Sequence, residues 1–365
     1  MRARSRSVAI VTVVLGALAL GRSVIAVAAP GGAPVAAPSA TAAAHTVVPT
    51  ITVSAVGDIC FASAPGRLIK SEGAKAPFSQ VAAILKAATV TVGNLECVLS
   101  RRGSPMPGKG YTFEGDPAAV KGLTYAGFDL LAMANNHAVD FGRTALLDTI
   151  SNLDKAGLGH AGAGSKWTRA VEPDIIVRNG ARIALLSFCQ IGPASFAATR
   201  SRSGTAYTFD MNTVTSAIES ARKKADYVIV AFHWGIERRT TPTSTQVKFG
   251  RAAINAGADL VLSHHPHIIE GVEFYRGKLI AYSLGNFVFS PGTASGHDTL
   301  ILTVKLTPRK IVAVDAYPCM IDGNGRPVPA KGGNLTRIIK AIRTTSKGRG
   351  TVVTVSKGRA HLRAR

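Results

Sequence analysis

The chain has 365 residues, 46% of them hydrophobic, and a formal net charge of +22. That length and apolar share suit one large or two ordinary folded domains and exclude a disordered or fibrous chain. Charge is uneven: residues 1–57 carry four Arg and no acid, and residues 337–365 carry nine Lys/Arg and no acid, leaving 30 basic residues against all 21 acids between them.

From the start, "MRARSRS" is basic, "VAIVTVVLGALALG" is apolar but short for a span, and "AVA" before Ala29 matches a signal-peptidase site. A cleaved leader over 1–28 and export to the cell surface or outside are expected, with an anchor from Val8 to Ala29 as the alternative. Arg22 within the run counts against the anchor. Residues 29–49, rich in Ala, Pro, Gly and Ser/Thr, read as a solvated linker. A globular domain is expected over 50–330 and a basic tail over 331–365. Such a tail suits a membrane surface, cell wall or anionic polymer, or is simply solvated, and export makes nucleic acid the weakest partner.

From Ile51 onward β-branched runs alternate with helical stretches, the pattern of an α/β protein. Helices are expected in "PFSQVAAILKAA", "RTALLDTISNLDKAG", "MNTVTSAIESARKKA" and "TSTQVKFGRAAINAG", and an antiparallel pair in "TLILTVKLT" and "KIVAVDAYPC". Polar residues follow each earlier strand. "ITVSAV" leads to Asp58, "ATVTV" to Glu96, "FDLLAMA" to Asn136 and His137, "DYVIVAF" to His233, "ADLVLS" to His264–His267, and "KLIAYSL" to Asn286. Ligands of α/β sheets bind beyond the carboxyl ends of the strands, so six such tips are expected to meet in one cleft.

In "LSHHPHIIEG", Pro266 favours an extended His265, which would aim His265 and His267 to one side and His264 away. Asp58, Glu96, Asn136, His137, His233, His265 and His267 form a mixed oxygen and nitrogen set suited to Mn, Fe or Zn rather than Ca. Singly each has a plain structural explanation; together, at consecutive strand ends, they point to a metal site. Glu237 is either an acceptor behind the metal ligands or a solvated acid, Asn286 and Ser283 pin the loop, and Lys109 with Arg101 and Arg102 reads as a solvated basic loop. The four cysteines read as buried packing residues, although an exported chain permits two disulfides.

In order, "VGDI", "GNLE", "NNHAVDFG", "HWGIE" and "HHPHIIEGVEFYRGKLIAYSLGNFVF" resemble the motifs of the CapA family of bacterial capsule proteins, named for poly-γ-glutamate synthesis. The family is similar to calcineurin-like metallophosphoesterases, which implies an α/β two-sheet sandwich flanked by helices. The resemblance implies one or two divalent metal ions held by Asp58, Glu96, Asn136, His233, His265 and His267, with His137 as general acid and Asp140 orienting it. Paired cations clamp a phosphoryl group and activate water. It also implies a capsule or envelope role on a phosphoester or anionic polymer, beside capsule-synthesis membrane proteins, or a non-catalytic binding and assembly role on the same fold. Two departures bear on the metals: Cys60 stands where metallophosphoesterases have the His of Asp-x-His, and Gly-Asn-Leu-Glu stands for Gly-Asp-x-x-Asp.

Overall fold

A computed structural model describes residues 48–365. The leader and most of the linker therefore lie outside the described residues, and among those described no helix is long and apolar enough to cross a membrane.

Two sheets face each other. The larger runs, in spatial order, Thr351–Ser356, Arg359–Ala364, Ile311–Ile321, Asp298–Leu306, Ile51–Ile59, Val90–Leu95, Leu130–Ala132 and Gly159–Ala161. The smaller runs Val272–Tyr275, Lys278–Ala281, Leu260–His264, Tyr227–His233, Ala181–Cys189 and Asp174–Arg178. In each sheet the strands leading to the site are parallel, Ile51–Ile59 with Val90–Leu95 and Leu130–Ala132, and Tyr227–His233 with Leu260–His264. Their carboxyl ends therefore emerge on one side, as the α/β reading requires. This is the expected two-sheet sandwich flanked by helices.

The strand sequences dictate the layers. Along Tyr227–His233, Tyr227, Ile229 and Ala231 enter the core between the sheets, whereas Val228, Val230 and Phe232 pack outward under the helices. In the larger sheet, Leu130 and Ala132 point inward while Leu131 and Met133 point to the other helical layer. Successive side chains alternate across a sheet, and a strand covered on both faces must be apolar throughout. That is why these segments read as unbroken runs.

Three of the four expected helices form close to their predicted bounds, as Gly142–Lys155, Met211–Arg222 and Ser244–Asn255. The first, expected over 77–88, shrinks to Ala82–Lys86 after a 3-10 turn at Ala76–Phe78. Asp210 caps Met211–Arg222 by accepting from the amides of Asn212 and Thr213. Thr243 and Gln246 form a reciprocal capping box. The expected antiparallel pair forms between Asp298–Leu306 and Ile311–Ile321.

The segment read as a basic tail is folded. Helix Gly332–Lys347 and the hairpin Thr351–Ser356/Arg359–Ala364 join the compact unit, and the hairpin pairs with the larger sheet at Asp315–His361 and Ala316–Ala360. Ile338, Ile342, Val353, Ala360 and Leu362 complete the core between the sheets. The boundary at 331 is thus corrected. Ile338 and Ile342 at helical spacing carried the signal, masked by the basic residues on the opposite face.

Gln246 also donates to Glu270 Oε2 at 2.7 Å, whereas Glu270 Oε1, among the described residues, has no partner. Burial pushes the Glu270 carboxyl up to about 8 from an ordinary 4.5, against the opposing pull of Gln246, Arg239 and Arg349. Folding therefore favours the protonated acid: its contribution is complete below about 4.5 and is lost as pH rises through about 8. Glu270→Gln should flatten the loss of thermal stability between pH 5 and 9, a difference of about 1–4 kcal/mol at the alkaline end. Melting curves across that range test it, and superimposable profiles for the two proteins would refute it.

Candidate metal centre

Close backbone contact builds the floor of the site. A Cβ on Gly57 would lie 1.9 Å from the Gly285 carbonyl oxygen, so only glycine lets the Ile51–Ile59 strand approach the Gly285–Asn286 turn. The Asp58 amide then donates to Gly285 O at 2.9 Å. The Asp58 and Asn286 side chains consequently meet His267: its Nδ1 lies 3.4 Å from Asp58 Oδ2 and 2.8 Å from Asn286 Oδ1. Asn286 also donates to the carbonyls of His267 and Gly296, and Ser283 donates to Ile268 O at 2.7 Å. Both residues bond the histidine loop.

That loop departs from the sequence reading. His265 and His267, on either side of Pro266, hold φ values of 96° and 57°, not an extended backbone. Non-glycine residues rarely adopt this region, and it persists only where the surroundings impose it. The Arg238 amide, donating to Pro266 O at 2.9 Å, is one such constraint. The turn still brings the rings together, with His233–His265 centroids 4.9 Å apart and His265–His267 centroids 5.9 Å apart. His264 does not face away: it is buried, with Nδ1 3.3 Å from Asp58 Oδ1. The reversal after His264 removes the strand parity on which that expectation rested.

Glu96 sits at the centre. Its oxygens fall within 4.8 Å of ligand atoms of His233 and His265 in one group, and of Asp58 and His267 in another. Glu237 forms a third group with His265 and His267. His233 Nε2 is 3.3 Å from Glu96 Oε1 and 2.7 Å from Asn136 Oδ1, so Asn136 also joins the cluster. Among the described residues, both oxygens of the fully buried Glu96 and the Nδ1 of His265 lack hydrogen-bond partners. Leaving a buried carboxylate unsatisfied is costly, and a divalent cation would satisfy it. The donor set of carboxylates, an amide oxygen and imidazoles fits Mn, Fe or Zn.

The charges agree with that fit. Burial and the neighbouring Asp58 hold the Glu96 carboxyl well above its ordinary value. Burial and His265 hold His233 well below its own, and burial with His267 lowers His265 to about 3. Burial alone would lower His267, but Glu96 and Asp58 raise it to about 10. Burial would likewise raise Asp58, yet the hydrogen bonds and charges of His264 and His267 keep it well below its ordinary value. Asp58 keeps its charge against His264 and His267 while Glu96 beside it resists ionising, and a divalent cation would favour the ionised form of both.

Asn94 and Asn135, which the sequence reading passed over, form the supporting layer. Asn94 donates to Asp58 Oδ1 at 2.8 Å, and Asn135 donates to Asn94 Oδ1 at 3.1 Å and to Leu95 O at 2.8 Å. Asn135 Oδ1 accepts the His137 amide at 3.0 Å. Both lie inside the quoted motifs, immediately beside the chosen residues, and position in the motif was their only signal.

His137 lies at the wall of the cleft, with Asp140 buried behind it. Asp140 Oδ2 bonds His137 Nδ1 at 2.7 Å and accepts the Phe113 amide at 2.7 Å, while the Phe113 ring stacks on the imidazole with centroids 4.1 Å apart. Lys109, read as solvated, instead bonds Asp140 Oδ1 and the Asn136 carbonyl. The burial of His137 lowers its pKa, and Asp140 opposes that shift. A cleft of about 260 Å³, lined among others by Cys60, Tyr111, Phe113, His137, Glu237 and His267, gives access. All four cysteines are free and buried, and burial with the Cys97 contact pushes the Cys60 thiol well above its ordinary value. A thiol held protonated is a poor metal ligand.

The family model "Bacterial capsule synthesis protein PGA_cap" matches residues 52–291. The PGA biosynthesis protein CapA of Bacillus subtilis is 32% identical over 287 residues, covering 78% of this chain and 75% of that protein. The capsule biosynthesis protein CapA of Bacillus anthracis is 29% identical over 308 residues, covering 82% and 74%. Among solved structures, the NAD nucleotidase of Haemophilus influenzae aligns with a TM-score of 0.45 and 12% identity, over 81% of this chain and 63% of that chain.

Proposed function

Because the chain belongs to the bacterial capsule synthesis protein family PGA_cap, we propose that it is an exported component of poly-γ-glutamate capsule or envelope polymer synthesis that carries a metal-dependent, phosphoesterase-like hydrolase site. The observation that carries this reading is the buried Glu96 carboxyl, which has no hydrogen-bond partner among the described residues and is set between the Asp58–His267 and His233–His265 pairs. In this reading Asp58, Glu96, Asn136, His233, His265 and His267 hold one or two divalent cations, which polarise the bond to be cleaved and activate water when bound. Asn286 steadies His267 from behind: with Nδ1 of His267 engaged by Asn286, Nε2 is the nitrogen left to coordinate, while Glu237 at the cleft lies within ligand reach of His265 and His267. His137, fixed by Asp140 and stacked on Phe113, delivers a proton to the departing group. In this reading the leader expected over residues 1–28 directs the chain to the cell surface or outside it, beside the membrane proteins of capsule synthesis.

A second reading, a binding or assembly component without turnover, is favoured by one observation. Cys60 stands where the metallophosphoesterases that the family resembles have a histidine, and it is a buried thiol held protonated, so one cation would lack that ligand. Metal analysis of the purified protein, paired with assays on an alkyl phosphodiester and on a γ-glutamyl amide, separates the two. Bound Mn, Fe or Zn with turnover of either substrate is expected; metal without turnover leaves the binding reading, and absence of metal sinks the site altogether.

A further inference from the structure

The folded C-terminal segment creates a feature that the metal centre does not use. Helix Gly332–Lys347 and the loop following His233 face each other across a groove of about 630 Å³. Arg238 on the loop side and Arg337, Lys340 and Arg349 on the helix side line it. Its one acidic wall residue, Asp298, is already bonded to Arg337 at 2.7 Å. Among the described residues neither Arg238 nor Lys340 has an acidic partner, so the groove presents unneutralised positive charge.

The wall is built in place. A Cβ on Gly271 would lie 2.2 Å from Thr345 O, showing how closely the helix packs on the turn after the histidine loop. The Val272 amide donates to Ser346 Oγ at 3.1 Å, and Thr351 donates to Val272 O at 2.7 Å. Arg349 lies over the Tyr282 ring at 5.3 Å. The helix that carries these cations is therefore fixed against the turn after the histidine loop.

Arg238 joins groove to cleft, since it lines both. On the facing side, Thr293 and Gly296 line the cleft, and Ser295 and Asp298 line the groove. Arg238 also holds a φ of 61°, a conformation that costs strain in a non-glycine residue and is fixed here by the hydrogen bond its amide donates to Pro266 O. The same bond braces the turn carrying His265 and His267.

We propose that this groove binds an extended polycarboxylate chain, poly-γ-glutamate under the reading above, and that Arg238 leads one of its carboxylates over the lip into the metal cleft. The inference rests on the chain being a polymer-handling protein, not on its being a hydrolase. A concave row of guanidinium and ammonium groups suits repeating carboxylates. No aromatic side chain lines the groove to stack nucleic-acid bases, and no exposed large apolar residue among those described lines it to enter a lipid surface.

Fluorescence anisotropy of labelled poly-γ-glutamate of defined length, titrated with the full chain at fixed ionic strength with and without EDTA, tests the proposal. Wild type should bind in both conditions, and Lys340→Glu, Lys340→Gln and Arg238→Gln should each weaken binding, the reversal by at least ~10-fold. Lys340 is exposed on its helix, and circular dichroism checks that its variants fold. The double variant Lys223→Glu/Lys224→Glu, at an exposed site elsewhere, should change affinity by less than ~2-fold. Equal weakening by that control would mean diffuse charge attraction and overturn the groove. So would binding abolished by EDTA but indifferent to Lys340 and Arg238, or phosphatidylglycerol vesicles displacing the polymer through the same residues. Phosphoester turnover without polymer binding would refute the groove alone, whereas polymer binding without turnover would refute the hydrolase alone.

Discussion

His265→Ala should lose metal and turnover together, with affinity for Mn or Zn reduced by at least ~100-fold. His265 lies with Glu96 and His233 in one candidate ligand group and with Glu237 and His267 in another, so its removal depletes both. The substitution alone would be ambiguous, because His265 occupies a φ of 96°, where alanine is as strained as histidine. His265→Gly removes the imidazole while relieving the backbone. If metal loss came from a collapsed turn, glycine would restore it; if it came from a lost ligand, both variants fail alike. Mass spectrometric metal content, read beside a melting curve, makes the comparison. Metal retained in full by both variants would remove His265 from the site.

The strand ends were readable because burial on both faces forces apolar runs to stop where polar function begins. Tyr227–His233 shows this directly: six residues serve two cores, and the seventh, His233, reaches Asn136 and Glu96. Lys109 and His264 were misread for different reasons. A strand's alternation fixes the face of His264 only while the strand continues, and positive φ at His265 and His267 turns the chain, leaving His264 beside Asp58. Lys109 stands in a Gly- and Pro-rich loop without periodicity, so nothing local marks its reach to Asp140. The folded C-terminal segment was hidden by composition, since nine basic residues outweigh three isoleucines in any average yet occupy the other face of the helix and hairpin. Regular periodicity was legible; what depended on loop closure between distant segments was not.

His137→Ala should leave metal content nearly intact while lowering turnover by roughly 10²- to 10⁴-fold, the usual contribution of a general acid. The imidazole reaches Asp140 and Phe113 rather than the cluster of Glu96, His233 and His265, so its loss spares the ligands. Asp140 then keeps its bonds to Lys109 and the Phe113 amide, which prevents the buried carboxylate from being stranded. Asp140→Asn keeps a group of the same shape against the ring but removes the charge that steadies a protonated imidazole, so it should lower turnover less than His137→Ala. The substrate decides whether either effect is visible. An alkyl phosphodiester or γ-glutamyl amide leaves poorly and needs the proton, whereas an activated aryl ester departs without one and should show little difference between wild type and His137→Ala. Loss of equal size on both substrate types would mean that His137 positions the site rather than supplies a proton. Unchanged turnover on the poor leaving group would return His137 to a packing role between Phe113 and Asp140.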